Sequence, residues 1–432
     1  MEMNRRFQGW IILLIFLLAT YSPPVSAEGQ IEPVLLIRLT LKPQVTLRGL
    51  GPITLFYRSE KDLAEKPHFS SASWQKVEDA AIYHQLSWQV TMVDGQLILH
   101  SEQGDLITGN LPILLHNSGS GFELNGADYP GNLILWPDAD EGLIILNEVG
   151  LEDYVCGVLG SEAYASWPLE ALKANAVAIR SYTIHSLGKH DAFDLCAENH
   201  CQVYRGLPQA AVFRAAVTAT AGEVLTWRGT PINAVYHSSS GGRTRNNEDV
   251  WSGLPLPYLR SVEDFDHDGR NFQWPNAYLC SVEELAHGLI LPGEQALQVT
   301  PIPSVNGERV GFWFGGTSGG RGLKNEELRR LLGLPSANFR VFCYPEQTEI
   351  TQPIVLPPGA SLLFVGTGSG HGVGLSQWGA AALAARGYTY QQILRHYYGT
   401  EVDWEIMLQQ SGKILDFGFG KQAVNFLCKP IL

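Results

Sequence analysis

The sequence predicts an α+β protein, a β-rich N-terminal module followed by a mixed domain carrying one long helix. Three observations lead there. Residues 28 to 140 hold short alternating or β-branched runs separated by turn residues, a Pro-initiated helical run begins at Pro168, and the 432 residues include 45 Gly and 24 Pro, which favour strands and loops over bundles. An apolar content of 45% with 10% aromatics is that of a packed globular chain rather than a disordered one.

Taken in order, Arg5 and Arg6, the apolar run from Trp10 to Ala19 and the small residues of Val25-Ser-Ala27 read as a secretory signal cleaved after Ala27. The alternative is an uncleaved N-terminal anchor, but the run is short for a bilayer span. Either reading exports the body of the protein, to the periplasm or cell wall, and the signal segment is its membrane contact only if uncleaved. The β-rich module, residues 28 to 140, shows strand patterns at 34–41, 53–57, 88–92, 96–100 and 132–136, and no titratable cluster. A mixed domain follows at 141 to 402, with 403 to 432 as a C-terminal extension. Within it, 143–147, 223–227, 232–237 and 361–365 have strand character. Leu169, Leu172, Ala176, Ile179 and Thr183 recur at helical spacing on what should be one buried face. Shorter helices are expected at 377–385 and 390–398, each followed by Gly (Gly387, Gly399).

Charge narrows the function. Thirty Lys plus Arg stand against 43 Asp plus Glu, a net of -13, which repels phosphate backbones and anionic lipid and argues against nucleic acid as a partner. Six cysteines in an exported chain permit disulfides without making a disulfide scaffold, and Cys280 with Cys343 is one candidate pair. His190, Cys196, His200 and Cys201 fall within twelve residues. Two thiolates and two imidazoles make a closed tetrahedral zinc set, structural rather than catalytic; a Cys196–Cys201 disulfide is equally compatible with the spacing. Asp264-Phe-Asp-His-Asp-Gly269 opens like a calcium loop but has Pro275 where a bidentate Glu is required, so it reads as an acidic turn.

Four ordered blocks carry a resemblance. Tyr154-Val-Cys-Gly-Val-Leu-Gly-Ser-Glu162 with the helix from Trp167 to Tyr182, Cys201-Gln-Val-Tyr-Arg-Gly206, Ala234-Val-Tyr-His-Ser-Ser-Ser-Gly-Gly242 and His371-Gly-Val-Gly-Leu-Ser-Gln-Trp-Gly379 together resemble the stage II sporulation protein D family. These are bacterial cell-wall proteins that include lytic transglycosylases and a modifier of autolytic amidases. The resemblance spans about residues 142 to 402 and implies that Glu162 is the catalytic acid, that the 236–242 block lies near it, and that the His/Cys loop binds zinc in some members; the 371–379 block offers the same sugar-gripping chemistry as 236–242.

The residues suit that chemistry. Breaking a glycosidic bond needs a proton on a poor leaving group, and a carboxylic acid kept neutral by apolar neighbours such as Tyr164 and Trp167 supplies it. The competing reading of Glu162 is a helix-entry carboxylate complementing the dipole. Glu152 or Asp153 would be the second carboxylate of a hydrolase. Candidate substrate-binding residues are Tyr164, Arg180, Tyr182, Tyr236, Ser238, Ser239, Gly241, Gly242, His371, Gly372, Gln377 and Trp378: hydroxyls and amides for sugar hydroxyls, aromatic faces for rings, glycines for close approach, and Arg180 to offset muramic carboxylates. A serine-hydrolase reading of His237 and Ser238 lacks the Gly-x-Ser-x-Gly elbow. The expectation is an exported lytic transglycosylase cleaving MurNAc–GlcNAc strands to 1,6-anhydro ends, with no cofactor for catalysis and zinc at most structural. The other expectation is a non-catalytic wall-binding protein that recruits or stimulates an N-acetylmuramoyl-L-alanine amidase.

Overall fold

A computed structural model describes residues 33–406 apart from 40–44, 59–73, 77–86, 270–271, 290–296, 305–308, 317–318 and the single positions 103, 118, 119, 139 and 358. The expected signal segment, and the extension beyond 406, lie outside the described residues. Helices and several sheets are mixed along the chain, as α+β requires.

Twelve strands come first: β1 (Val34–Leu39), β2 (Val45–Gly49), β3 (Ile53–Arg58), β4 (Trp74–Lys76), β5 (Ser87–Val93), β6 (Gln96–Ser101), β7 (Gly104–Gly109), β8 (Ile113–Asn117), β9 (Phe122–Leu124), β10 (Ala127–Tyr129), β11 (Asn132–Asp138) and β12 (Gly142–Gly150). Two-residue alternation buries Val45, Leu47, Trp88 and Val90 between two sheets while their sequence neighbours face out. The seven-stranded sheet runs β13-β1-β12-β11-β8-β3-β4, where β13 is Leu195–Cys196; the six-stranded sheet runs β10-β9-β2-β5-β6-β7. The boundary expected at residue 140 falls in the hairpin between β11 and β12, and β13 pairs in parallel with β1, so strands from both sides of it share one sheet.

Chain direction then turns into α1 (Leu151–Glu162), a helix that periodicity alone does not announce. Gly157 and Gly160 should weaken it by about 1 kcal/mol each relative to Ala. Packing overrides that cost: a Cβ at Gly157 would stand 2.3 Å from the Tyr204 ring, and one at Gly160 2.4 Å from Pro208. The two glycines let the 204–208 segment lie directly on α1. The long helix, α2 (Leu169–His185), matches its expected span but is not one-faced. Leu172, Ala176 and Ile179 face the core shared with the sheets, while Ala174, Val177 and Ala178 face a second core formed by Ile232, Leu375, Tyr397 and Tyr398; Leu169, expected inside, is 41% exposed. Small Ala side chains make this burial on opposite sides possible.

After α3 (Ala211–Thr218), β14 (Glu223–Trp227), β15 (Thr230–Pro231), β16 (Tyr236–His237) and the short α4 (Asn247–Val250), the chain makes an excursion with its own core. It contains β17 (Tyr278–Ser281), α5 (Val282–Gly288), β18 (Leu297–Pro303), β19 (Arg309–Gly316), β20 (Gly319–Lys324), α6 (Asn325–Leu332), β21 (Phe339–Tyr344), β22 (Thr348–Glu349), β23 (Ile354–Leu356) and β24 (Ser361–Gly366). Cys280 and Cys343 both sit opposite Leu362, on either side of β24. Two strand spacings are about 9.5 Å, beyond the roughly 7 Å reach of a disulfide. That candidate pairing is therefore wrong, and both are free thiols.

The chain returns as β25 (Leu375–Ser376), α7 (Gln377–Ala385), α8 (Tyr390–Tyr398) and β26 (Asp403–Ile406). Of the expected 232–237 strand only Tyr236–His237 joins a ladder, in parallel with β25. That ladder ties the third and fourth sequence blocks together. Among the described residues no helix is long and apolar enough to cross a membrane.

Candidate active site

Glu162 is the last residue of α1, at the negative end of a helix dipole rather than at the entry of the following helix, so the dipole-complementing reading fails. Its carboxyl is pushed up to about 7 by burial, against three donors that favour the charged form: the Val203 N–H (2.9 Å to Oε1), the Tyr236 hydroxyl and the Gln377 amide (3.3 Å to Oε2). Its donors themselves are braced. Gln202 Nε2 donates to the Tyr236 hydroxyl at 3.0 Å, and the Gln202 carbonyl lies 2.8 Å from Thr183 Oγ1 on α2. Val203 is held because its segment rests on Gly157 and Gly160.

Above the carboxyl is a cavity of about 220 Å³ lined by Ser161, Glu162, Tyr164, Trp167, Ser238, Gln377 and Trp378, with Ala163. Tyr164, Trp167 and Trp378 form an aromatic cluster with ring centroids 5.3 to 5.6 Å apart, and Tyr164 is 46% exposed. Glu162 is the one carboxylate among the lining residues.

A raised carboxyl pKa has a stability consequence. The folded state binds the Glu162 proton more tightly than the unfolded state, so its contribution is complete below the unfolded value of 4.5 and is lost as pH rises towards 7. Glu162→Gln, which cannot ionise, should gain stability over the native protein across that window. The gain is at most about 3 kcal/mol, since the side chain keeps some solvent contact. Urea unfolding of both proteins at pH 4 and pH 8 measures it, and a difference independent of pH would show that burial does not hold the carboxyl neutral.

Several expected site residues do converge: Tyr164, Tyr236, Ser238, Gln377 and Trp378 surround Glu162, and the Tyr182 ring stands 6.4 Å from that of Tyr236. Others do not. Arg180 is fully buried, its guanidinium bound to both oxygens of Glu152 (2.8 and 2.5 Å) and to the Glu223 carbonyl, so it is structural. Asp153 pairs with Arg214 at 2.6 Å, and thus neither Glu152 nor Asp153 is a second acid. Strand alternation explains His371: Tyr236 points to Glu162, whereas His237 points to the opposite side, where its ring lies 5.4 Å from that of His371. Gly372 offers its carbonyl to the Arg245 N–H.

Ser239, Gly241 and Gly242 turn instead toward the acidic turn. Asp266 accepts from the Ser239 hydroxyl (2.5 Å) and the N–H groups of Gly241 and Gly242 (2.9 Å each), while Asp264 accepts from Ser240 and Tyr397. Neutral donors consume both carboxylates, which accounts for this turn without calcium. Asp266→Ala would leave the buried Ser239 hydroxyl and the part-buried Gly241 and Gly242 N–H groups unpaired and should cost about 3 kcal/mol in chemical denaturation. A loss below about 1 kcal/mol would mean that the loop is held by other contacts.

Gln202 and the Val203 N–H are site groups that were not among the candidates above. Their signal was present, since both lie in the 201–206 block, but a backbone donor carries no side-chain identity to recognise.

At the far end of that segment, His190, Cys196, His200 and Cys201 place four potential ligand atoms within 4.8 Å of one another. Cys196 is fixed by β13, and its thiol is unbonded to that of Cys201. A hydrogen bond from Cys201 holds the Cys196 thiol well below the usual range. Separations are 3.4 Å (His190 Nε2 to Cys201 Sγ), 3.5 Å (His200 Nδ1 to Cys201 Sγ) and 3.6 Å (His200 Nδ1 to Cys196 Sγ). Zinc bonds of about 2.0 to 2.3 Å in a tetrahedron give ligand separations of about 3.3 to 3.8 Å, so the donor set fits that ion.

Comparison with known proteins agrees with the sequence blocks. Residues 139–227 match the stage II sporulation protein (SpoIID) family. The chain is 30% identical over 274 residues to stage II sporulation protein D of Bacillus amyloliquefaciens, covering 59% of this chain and 74% of that one. It is 28% identical over 278 residues to the Bacillus subtilis protein of the same name (60% and 75%), and 28% identical over 283 residues to the B. subtilis amidase enhancer (56% and 39%). With the matched family signature, and a stage II sporulation protein D that is 30% identical over 74% of its own length, this chain belongs to the stage II sporulation protein D family.

Proposed function

We propose that this cell-wall-related protein is an exported lytic transglycosylase that cleaves MurNAc–GlcNAc glycan strands. The observation that carries the reading is a single carboxyl, raised to about 7, at the base of an aromatic-walled cavity. Neutral Glu162 gives its proton to the glycosidic oxygen as the C1–O bond breaks. The resulting carboxylate is stabilised by the Val203 N–H, the Tyr236 hydroxyl and the Gln377 amide. It then takes the proton of the muramic 6-hydroxyl, whose oxygen bonds C1, closing the 1,6-anhydro ring and restoring the acid. A hydrolase would need a second carboxylate to activate water; here the substrate supplies the nucleophile. Zinc, held by His190, Cys196, His200 and Cys201, would brace the segment that carries Gln202 and Val203.

The test is product analysis on purified glycan strands with and without stem peptides. Anhydromuramyl ends are expected from the native protein. Reducing muramic ends would make it a hydrolase. Similarity to the amidase enhancer supports a second reading, in which the protein holds strands and stimulates an amidase; strand binding without cleavage, together with faster amidase turnover, would favour that one.

A further inference from the structure

Trp167 and Trp378 are shared walls. On one side of them is the Glu162 cavity; they also line a second cavity of about 200 Å³ with Pro168, Phe265, Asp268 and Ala382. The two spaces are nearly equal, so a space that takes one sugar ring beside Glu162 has a counterpart of the same capacity next to it. Gly269 makes the wall possible, because a Cβ there would stand 3.1 Å from Trp378 Cγ and displace the indole. Of the two lining carboxylates, Asp266 is consumed by Ser239, Gly241 and Gly242. Asp268 is exposed and forms no ion pair among the described residues. Arg386 stacks on Phe265 at 4.5 Å but does not line the cavity.

We propose that this second cavity is a sugar subsite in which Asp268 selects an N-acetylhexosamine without a carboxylate. The inference rests on the glycan-strand reading above and adds the register of the strand. Aromatic walls suit the C–H face of a pyranose. An ionised carboxylate only accepts hydrogen bonds, so Asp268 recognises hydroxyl or amide N–H donors and repels a lactyl carboxylate at the same position. In an alternating strand, a GlcNAc in this cavity leaves a muramic residue for the neighbouring one.

Binding can be separated from cleavage by working in the Glu162→Gln protein. Calorimetry with N-acetylchitooligosaccharides of two to five sugars should show affinity rising as the second cavity fills. Ala382→Phe, which fills that cavity, should remove the rise, about tenfold or more. Peptide-free muramyl oligosaccharides should bind more weakly than chitooligosaccharides of equal length when their register forces a lactyl group into the subsite, and Asp268→Asn should narrow that gap. Equal affinities in the native cavity and in Ala382→Phe at every length, or a gap unchanged by Asp268→Asn, would overturn the proposal. Should Ala382→Phe fail to fold, the surface change Asp268→Asn decides alone. Length-dependent binding by a protein that never cleaves would reject only the catalytic reading, and cleavage without length dependence only this one.

Discussion

Glu162→Gln should lower the release of anhydromuramyl ends by about 10² to 10⁴, the usual contribution of a positioned general acid and base. Gln fills the same space and leaves the aromatic walls intact, so strand binding should persist while turnover is lost. The native pH profile carries a second signature. Proton donation needs the neutral form, so activity limited by that step should decline as pH rises through about 7. An unperturbed carboxyl would instead give a decline near 4.5. Anhydro ends produced equally by both proteins would remove Glu162 from the mechanism.

Zinc bound by His190, Cys196, His200 and Cys201, as proposed, carries the next largest expected effect. Purified protein is expected to hold one zinc, and Cys201→Ser or a strong chelator should release it. The loss in unfolding free energy should exceed about 3 kcal/mol, yet fall short of the ~10 to 16 kcal/mol of peptides that fold wholly around zinc, because β13 is independently paired with β1. Activity should fall along with stability, since Val203 is two residues from Cys201 and its N–H is a donor to Glu162. Elemental analysis and thermal unfolding measure both. Absence of zinc, with Cys196 and Cys201 joined, would replace the metal by a disulfide.

What the sequence made legible divides by the range of the interactions involved. α2, α7 and α8 announce themselves through local spacing and terminal glycines, and the structure gives them the expected spans. Strands β1, β3, β5, β6 and β11 do so through alternation. By contrast α1 is concealed, because Gly157 and Gly160 look like helix breakers until Tyr204 and Pro208 are seen against them. Small strands such as β9 and β10 are too short for a period to emerge. At the site, side chains with recognisable chemistry, Glu162, Tyr236, Gln377 and Trp378, could be nominated from the blocks. The blocks could not say which way each residue points. Tyr236 and His237 are neighbours in sequence and face opposite sides, and Arg180 has the right charge but is already committed to Glu152. Asp266 is the converse: an acidic turn in sequence, it is the anchor that shapes the Ser239 to Gly242 loop.

The excursion from β17 to β24 begins and ends at one place. Gln273 and Thr367 meet in a backbone bridge, and the Trp274 N–H bonds the Gly366 carbonyl. Its own core makes it a cassette, entered and left at this seam, with Lys324 on the Glu248 and Trp251 carbonyls and Asn338 beside Arg245 and Ser240 as further ties to the surrounding domain. Closing such a splice depends on the nearness of its ends, and only weakly on how much chain lies between them. His237 and Val373, 136 positions apart, are hydrogen-bonded across the seam. The amount of chain in the cassette therefore adds little to the cost of closing the fold around the acid.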